Sequence, residues 1–237
     1  MDVTNCRPFQ STNIKMHVTL NGKLATNSEG VFMPRANIVA RSTVKPGRLA
    51  EAVELGSRVA DLMVESGAAS SRFWVPAISQ DINLVTISSV CDSISSLDDV
   101  LTKFATQEEA APKEEWPVVL NSRFLMAELH AAQNSTTGKL RSTIMVSPQA
   151  GPASREAVSN WVDMNKSSGA NGSIAWGSYS GTAGQRIAIQ TFYDSWAQME
   201  ETRNALQSNR EMQAIFMGGL VQNIQSAVHR LAHEASR

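Results

Sequence analysis

A handful of residues in this 237-residue chain have side chains that could do chemistry. Tyr193, with Trp176 and Trp196, gives the later part of the chain an aromatic set containing one phenol. A phenol O–H donates to a carbonyl or quinone oxygen, and indole rings stack on flat molecules. Trp74 offers a further wall, Arg72 could pair with a carboxylate, and Asn165 is a polar handle on an expected helix. Each has a plainer reading beside it: the tryptophans as packing anchors, Arg72 as a surface charge.

Other candidates are weaker. His229 and His233 are spaced i, i+4, but Arg230 stands where a zinc-protease motif needs glutamate. On a strand those histidines lie too far apart to share a metal. The run GSYSG at 177–181 places Tyr179, rather than serine, at the centre of a nucleophile-elbow pattern. Cys6 and Cys91 form no metal or disulfide framework. No phosphate-cradling loop or nucleotide fingerprint occurs, so no metal and no cofactor are expected.

The residues that must position these groups occur twice. Residues 66–74 read SGAASSRFW and residues 168–176 read SGANGSIAW, an offset of 102. The same offset aligns Asp92-Ser93 with Asp194-Ser195, Glu54 with Glu156, Asp61 with Asp163 and Leu129 with Leu231. No gap is needed on this reading, and a duplication follows. Residues 1–36 have no copy. There His17 and the Asn21-Gly22 pair suggest a hairpin extension.

Within each copy the pattern predicts strand, helix, two strands, helix and strand. Residues 37–44 read as a strand and 48–65 as a helix closed by Gly67. Residues 72–78 and 84–91 read as strands, and 96–105 as a helix capped by Ser93 or Ser95. Residues 122–130 permit helix or strand by periodicity, and the architecture favours a strand; 225–233 pose the same choice. The second copy predicts strands at 140–146, 173–179 and 186–193, a helix at 152–166 capped by Gly169, and one long helix at 195–216.

Composition limits the partners. Lysine and arginine number 21 against 22 acids, with no basic cluster, so a nucleic-acid partner has no electrostatic footprint. No apolar run reaches membrane-span length, and a cytoplasmic protein is the plain reading.

Two βαββαβ units in tandem, with the SGA turn before a strand ending in an aromatic, resemble the dimeric α+β barrel superfamily over residues 37–237. Its antibiotic-biosynthesis-monooxygenase-like and NIPSNAP-like branches are the nearest in pattern. The resemblance implies an α+β fold of two ferredoxin-like repeats, 37–138 and 139–237, packed sheet to sheet as a fused barrel. It also implies a small-molecule pocket between each sheet and its helices. Some relatives oxidise aromatic substrates without a cofactor, and others bind haem. The expectation is a protein that binds a small hydrophobic or aromatic molecule, with a cofactor-independent oxygenase as its possible enzymatic form. Tyr193 would then donate, Trp176, Trp196 and Trp74 would wall the pocket, and Arg72 or Asn165 would hold polar groups. The competing expectation is a non-catalytic module that assembles through sheet edges into a homo-oligomer.

Overall fold

The computed structural model describes residues 35–78, 83–109, 117–132, 137–148, 152–178, 186–219 and 221–237. All fall within the unit Met33–Arg237. The expected hairpin near 17–26, Cys6, the turn at 79–82 and the Gly-rich turn at 179–185 lie outside the described residues.

The elements run β1 (Ala36–Val44), α1 (Leu49–Glu65), β2 (Ser70–Ile78), β3 (Leu84–Cys91), α2 (Leu97–Glu109) and β4 (Val118–Ala132). There follow β5 (Leu140–Pro148), α3 (Pro152–Ser167), β6 (Gly172–Ser178), β7 (Ile187–Tyr193), α4 (Trp196–Ser208), α5 (Arg210–Met217) and β8 (Val221–Ser236). The eight strands close into an antiparallel barrel in the order β4-β1-β3-β2-β8-β5-β7-β6. The last four strands are therefore ordered as the first four are. Closure comes from hydrogen bonding of β2 to β8 and of β6 to β4. The leading part of β4 is paired with β1 and its trailing part with β6, which meets it from Met126 onward. Likewise the leading part of β8 is paired with β5 and its trailing part with β2, from Val228 onward.

The SGA turns explain why each first helix stops where it does. Ser66, Gly67 and Ala68 donate their N–H groups to Leu62, Val64 and Met63; Ser168, Gly169 and Ala170 donate to Met164, Lys166 and Asn165. Gly67 (φ 115°) and Gly169 (φ 109°) take the left-handed backbone that other residues resist. The next residues, Ala69 and Asn171, donate to Val90 and Phe192 and so start β2 and β6 against their neighbours.

The gapless offset is corrected by the strand registers. It holds for β2/β6 and β3/β7, where Ser70 pairs with Val90 and Gly172 with Phe192. For β1/β5 it becomes 104, since Ala36 pairs with Cys91 and Leu140 with Tyr193. For β4/β8 it becomes 103, since Ala36 pairs with Ala127 and Leu140 with Arg230. The identities Val44/Val146 and Leu129/Leu231 are thus not equivalent places in the barrel.

The segments 122–130 and 225–233 are strands, and longer than expected. Register shifts interrupt both, between Glu128 and His130 in β4 and opposite Phe73/Trp74 in β8. A bulge resets the side-chain alternation, which is why their apolar spacing looked helical. The single helix expected at 195–216 is two helices. Asn209 sits extended (ψ 120°), and its side chain accepts from the N–H groups of Glu211 and Met212, restarting the chain as α5. Ser195 caps α4 by accepting from Gln198 N–H.

The helices cover the outer face of the barrel, and the two coverings are packed differently. Beneath α1, Gly56 lies flat against the Phe73 ring, where any Cβ would collide. The corresponding pair under α3 is Val158 and Ala175, both in the largest core cluster. The larger side chain is on the strand in the first pair and on the helix in the second, a compensating exchange of the kind close packing requires.

Candidate functional site

Inward-facing residues of a closed eight-strand barrel normally fill it. Val39, Trp74, Val90, Met126, Ile174, Trp176, Ala188 and Phe192 do so over part of this lumen. The rest is a cavity of about 110 Å³, bounded by Asn37, Arg72, Trp74, Ser88, Arg141, Trp176, Gln190 and Phe192, with the part-exposed Arg35, Ser70 and the exposed Asp92 at its open end.

The polar side chains at this cavity are unusually bare. Among the described residues, the buried side-chain polar atoms without a hydrogen-bond partner are Asn37 Nδ2, Trp74 Nε1, Arg141 Nε, Thr143 Oγ1 and His229 Nδ1. Asn37, Trp74 and Arg141 line the cavity directly. Thr143 is two residues from Arg141 on the same face of β5, and His229 pairs with Arg141 across the β5–β8 ladder. All five point into the lumen. Buried polar groups are ordinarily satisfied, and each exception needs a reason.

Arg141 is the strongest of these exceptions. It is 2% exposed and has no carboxylate or carbonyl partner among the described residues. Its guanidinium lies 4.4 Å from the centre of the Trp74 ring. Burial pushes its pKa down to about 9, with Arg41 and Arg72 adding repulsion, which still leaves it charged at neutral pH. Arg41 is lowered too, by burial, and its guanidinium stacks 5.4 Å over Phe124. His229 is pushed down to about 3, first by burial and then by Arg141 and Arg41, so it is neutral near pH 7. The lumen carboxylates are already engaged. Glu234 Oε1 accepts from Arg72 Nε at 2.8 Å, and Glu128 Oε2 accepts from Arg35 Nε at 2.5 Å.

Of the residues expected from sequence, Trp74, Trp176 and Arg72 meet at this cavity. The expected set of Tyr193, Trp176 and Trp196 does not form. On β7, Ala188, Gln190 and Phe192 face the lumen, which turns Tyr193 outward to pack with Leu140, Ala170 and Met199. Burial there raises the Tyr193 phenol to about 12, partly offset by a hydrogen bond with Thr191. Trp196 begins α4 and is 45% exposed. Asn165 is buried on the helix side, donating to Ser173 Oγ and Thr191 Oγ1 at 3.0 Å each, so it fastens α3 to β6 and β7. His130 and His233 also face outward, lying 2.9 Å from Asp163 and 2.8 Å from Asp61. Sequence reasoning missed Asn37 and Arg141, and considered His229 only as a metal ligand with His233. The available signal was an arginine in the otherwise apolar or small run LRSTIMV.

A pocket of the kind expected between sheet and helices is present beneath the first two helices. A cavity of about 80 Å³ lies under α1 and α2 against Ala40, Phe73, Ile87 and Phe104. The corresponding space under α3 is filled by Trp161, whose ring meets Phe216 edge-on at 5.0 Å. Among the described residues, no three His, Cys, Asp or Glu side chains group as metal ligands, and no helix is long and apolar enough to cross a membrane.

No protein-family model and no curated protein matches the sequence. Solved structures do. A "putative monooxygenase" from Fusobacterium nucleatum superposes with a TM-score of 0.61 at 9% identity, over 87% of this chain and 96% of that one. An anthrone oxidase-like protein gives 0.57 at 15%, over 86% and 94%. A chlorite dismutase from Candidatus Nitrospira defluvii gives 0.52 at 9%, over 83% and 90%. At such identities the likeness shows the fold alone: this chain has the α+β barrel fold of these proteins.

Proposed function

We propose that the chain is a fused, pseudo-dimeric barrel of two ferredoxin-like repeats, about 37–138 and 139–237, whose lumen binds a small molecule. The shared strand order, the paired SGA caps and the exchanged Phe73/Gly56 and Val158/Ala175 contacts support the duplication. One observation carries the binding reading: the unsatisfied buried polar side-chain atoms of the described residues all lie on the lumen side of the barrel, and three of them line one cavity. Trp74 and Trp176 are its walls, and Arg72 shapes its polar side through Glu234.

The finer reading is a cofactor-independent oxygenase acting on an aromatic substrate, favoured by the monooxygenase and anthrone oxidase-like names of proteins sharing the fold. Fixed N–H donors around a dry cavity stabilise negative charge that develops on a substrate oxygen. Oxidation of an activated CH₂ by dioxygen then yields a carbonyl and one water. Oxygen uptake with one-ring aromatics carrying an activated CH₂ should show one O₂ consumed per carbonyl formed, and Asn37→Ala should slow it. Uptake unaffected by lumen substitutions would sink the oxygenase reading.

Assembly through sheet edges has little room in a closed barrel, where the overhang of β4, with Val119 and Leu120 exposed, is the clearest free edge. Binding itself is tested by tryptophan emission with a panel of one-ring aromatics. The response should fall in Trp74→Phe and vanish in the Trp74→Phe/Trp176→Phe double variant; emission that no ligand alters would count against the lumen as a site.

A further inference from the structure

The lumen reading leaves open what kind of molecule fits, and the donor set narrows it. The three unpartnered atoms that line the cavity are Asn37 Nδ2, Trp74 Nε1 and Arg141 Nε. Each is an N–H that can only donate. Asn37 Oδ1 is already used, accepting from Ser88 Oγ at 3.0 Å. A ligand satisfying all three must therefore present acceptors and no donors on that side.

Charge narrows it further. Arg72 and Arg35 have Glu234 and Glu128, whereas Arg141, over the Trp74 ring, has no carboxylate partner among the described residues. A buried charge without a partner is costly. A neutral quinone or phenol would satisfy hydrogen bonds and leave that charge unbalanced. A full anion removes both deficits. The opposite wall argues against phosphate or an inorganic ion, because Val90, Trp176 and Phe192 offer only apolar surface or an indole whose N–H already donates to Gln190 Oε1 at 3.1 Å. An apolar cavity of about 150 Å³ is enough for benzene, so 110 Å³ restricts the enclosed part to one ring or less.

Resting on the lumen reading above, we propose that the cavity receives the carboxylate of a small, flat organic acid. The Arg141 guanidinium is its counter-ion, the Asn37 and Trp74 N–H groups are further donors, and the apolar body lies against Trp176 and Phe192. Arginine suits this role because its planar fork matches two carboxylate oxygens.

The test is calorimetric titration at fixed ionic strength with acetate, benzoate and phenylacetate, each beside its neutral amide, with chloride as the inorganic comparison. At least one acid should bind about 10- to 100-fold more tightly than its amide, the range expected for a hydrogen bond to a charged partner. Arg141→Met should reduce that ratio to about one, and Arg141→Lys, which keeps charge without the fork, should fall between; it also serves should the methionine variant fail to fold. Acids and amides binding alike, unaffected by either variant, would overturn the carboxylate and leave the lumen site standing. Chloride competing as well as benzoate would also overturn it. Should no probe bind and none alter Trp74 emission in a Trp176→Phe background, this inference and the lumen reading fall together.

Discussion

Trp74 and Trp176 stand at corresponding places in the two sets of four strands, each fully buried and each facing the lumen. Their surroundings are opposite. Trp176 N–H reaches the Gln190 side chain, whereas the residue answering to Gln190 is Ser88, which is too short and is turned to Asn37. Trp74 N–H is left bare, with Arg141 over its ring. The same contrast recurs around the barrel. Arg141 answers to Asn37, His229 to Met126, and Ile174 to Arg72. The outer faces show that bare polar groups are specific to the lumen: beneath the helices the size changes Phe73/Gly56 and Val158/Ala175 offset one another. Although a space of about 80 Å³ remains under α1 and α2, no buried polar side-chain atom of the described residues is left unpaired there.

The outer-layer half of that contrast is the easiest to break. Phe73→Ala should cost about 3–5 kcal/mol, the usual range for emptying a buried phenylalanine site. Gly56→Val should also destabilise, by crowding the ring. Together they recreate the α3 arrangement, so urea unfolding should find the double variant more stable than the sum of the two losses predicts. Strict additivity would mean the two layers are not equivalent.

His229 gives the next effect. Its pKa is lowered from 6.5 to about 3 on folding. Below pH 6.5 the unfolded chain takes up a proton that the folded chain resists, so this contribution is complete above pH 6.5 and is lost progressively as pH falls towards 3. The shift corresponds to roughly 5 kcal/mol. His229→Met, which copies the residue at the equivalent place, should flatten the acid limb of stability against pH. An unchanged limb would show that the ring is not held neutral in the lumen.

Smaller effects separate the two tryptophans. Trp176→Phe strands the Gln190 carbonyl, while Trp74→Phe strands nothing. The first should be the more destabilising by about 1–2 kcal/mol, the cost of an orphaned buried acceptor. Equal losses would remove the asymmetry. Smallest is Tyr193→Phe, with a loss near 1 kcal/mol for the hydrogen bond with Thr191 and no change in any ligand response, because the phenol is on the helix side.

Much of the scaffold was legible in the sequence because its punctuation is local. The SGA turns carry the glycines whose positive φ ends α1 and α3, so helix ends and the strands after them could be read directly. Registers could not. Bulges in β4 and β8 and the two-residue slip between β1 and β5 leave no trace in residue type. The face of each strand was the larger loss. Both faces of β7 are buried, so alternation alone does not say that Phe192 looks inward and Tyr193 outward. The site's chief cation was missed for the same reason: Arg141 reads as an ordinary surface residue until the barrel closes over it.

The central claim is that Arg141 is kept for a ligand at the expense of the empty fold. Thermal unfolding of ligand-free Arg141→Met tests it most directly. The account predicts a midpoint at or above that of the wild type, since an uncompensated buried charge is replaced by an apolar chain of similar length. A midpoint lower by several degrees would show that Arg141 is a structural support of the empty fold and is not kept for a ligand.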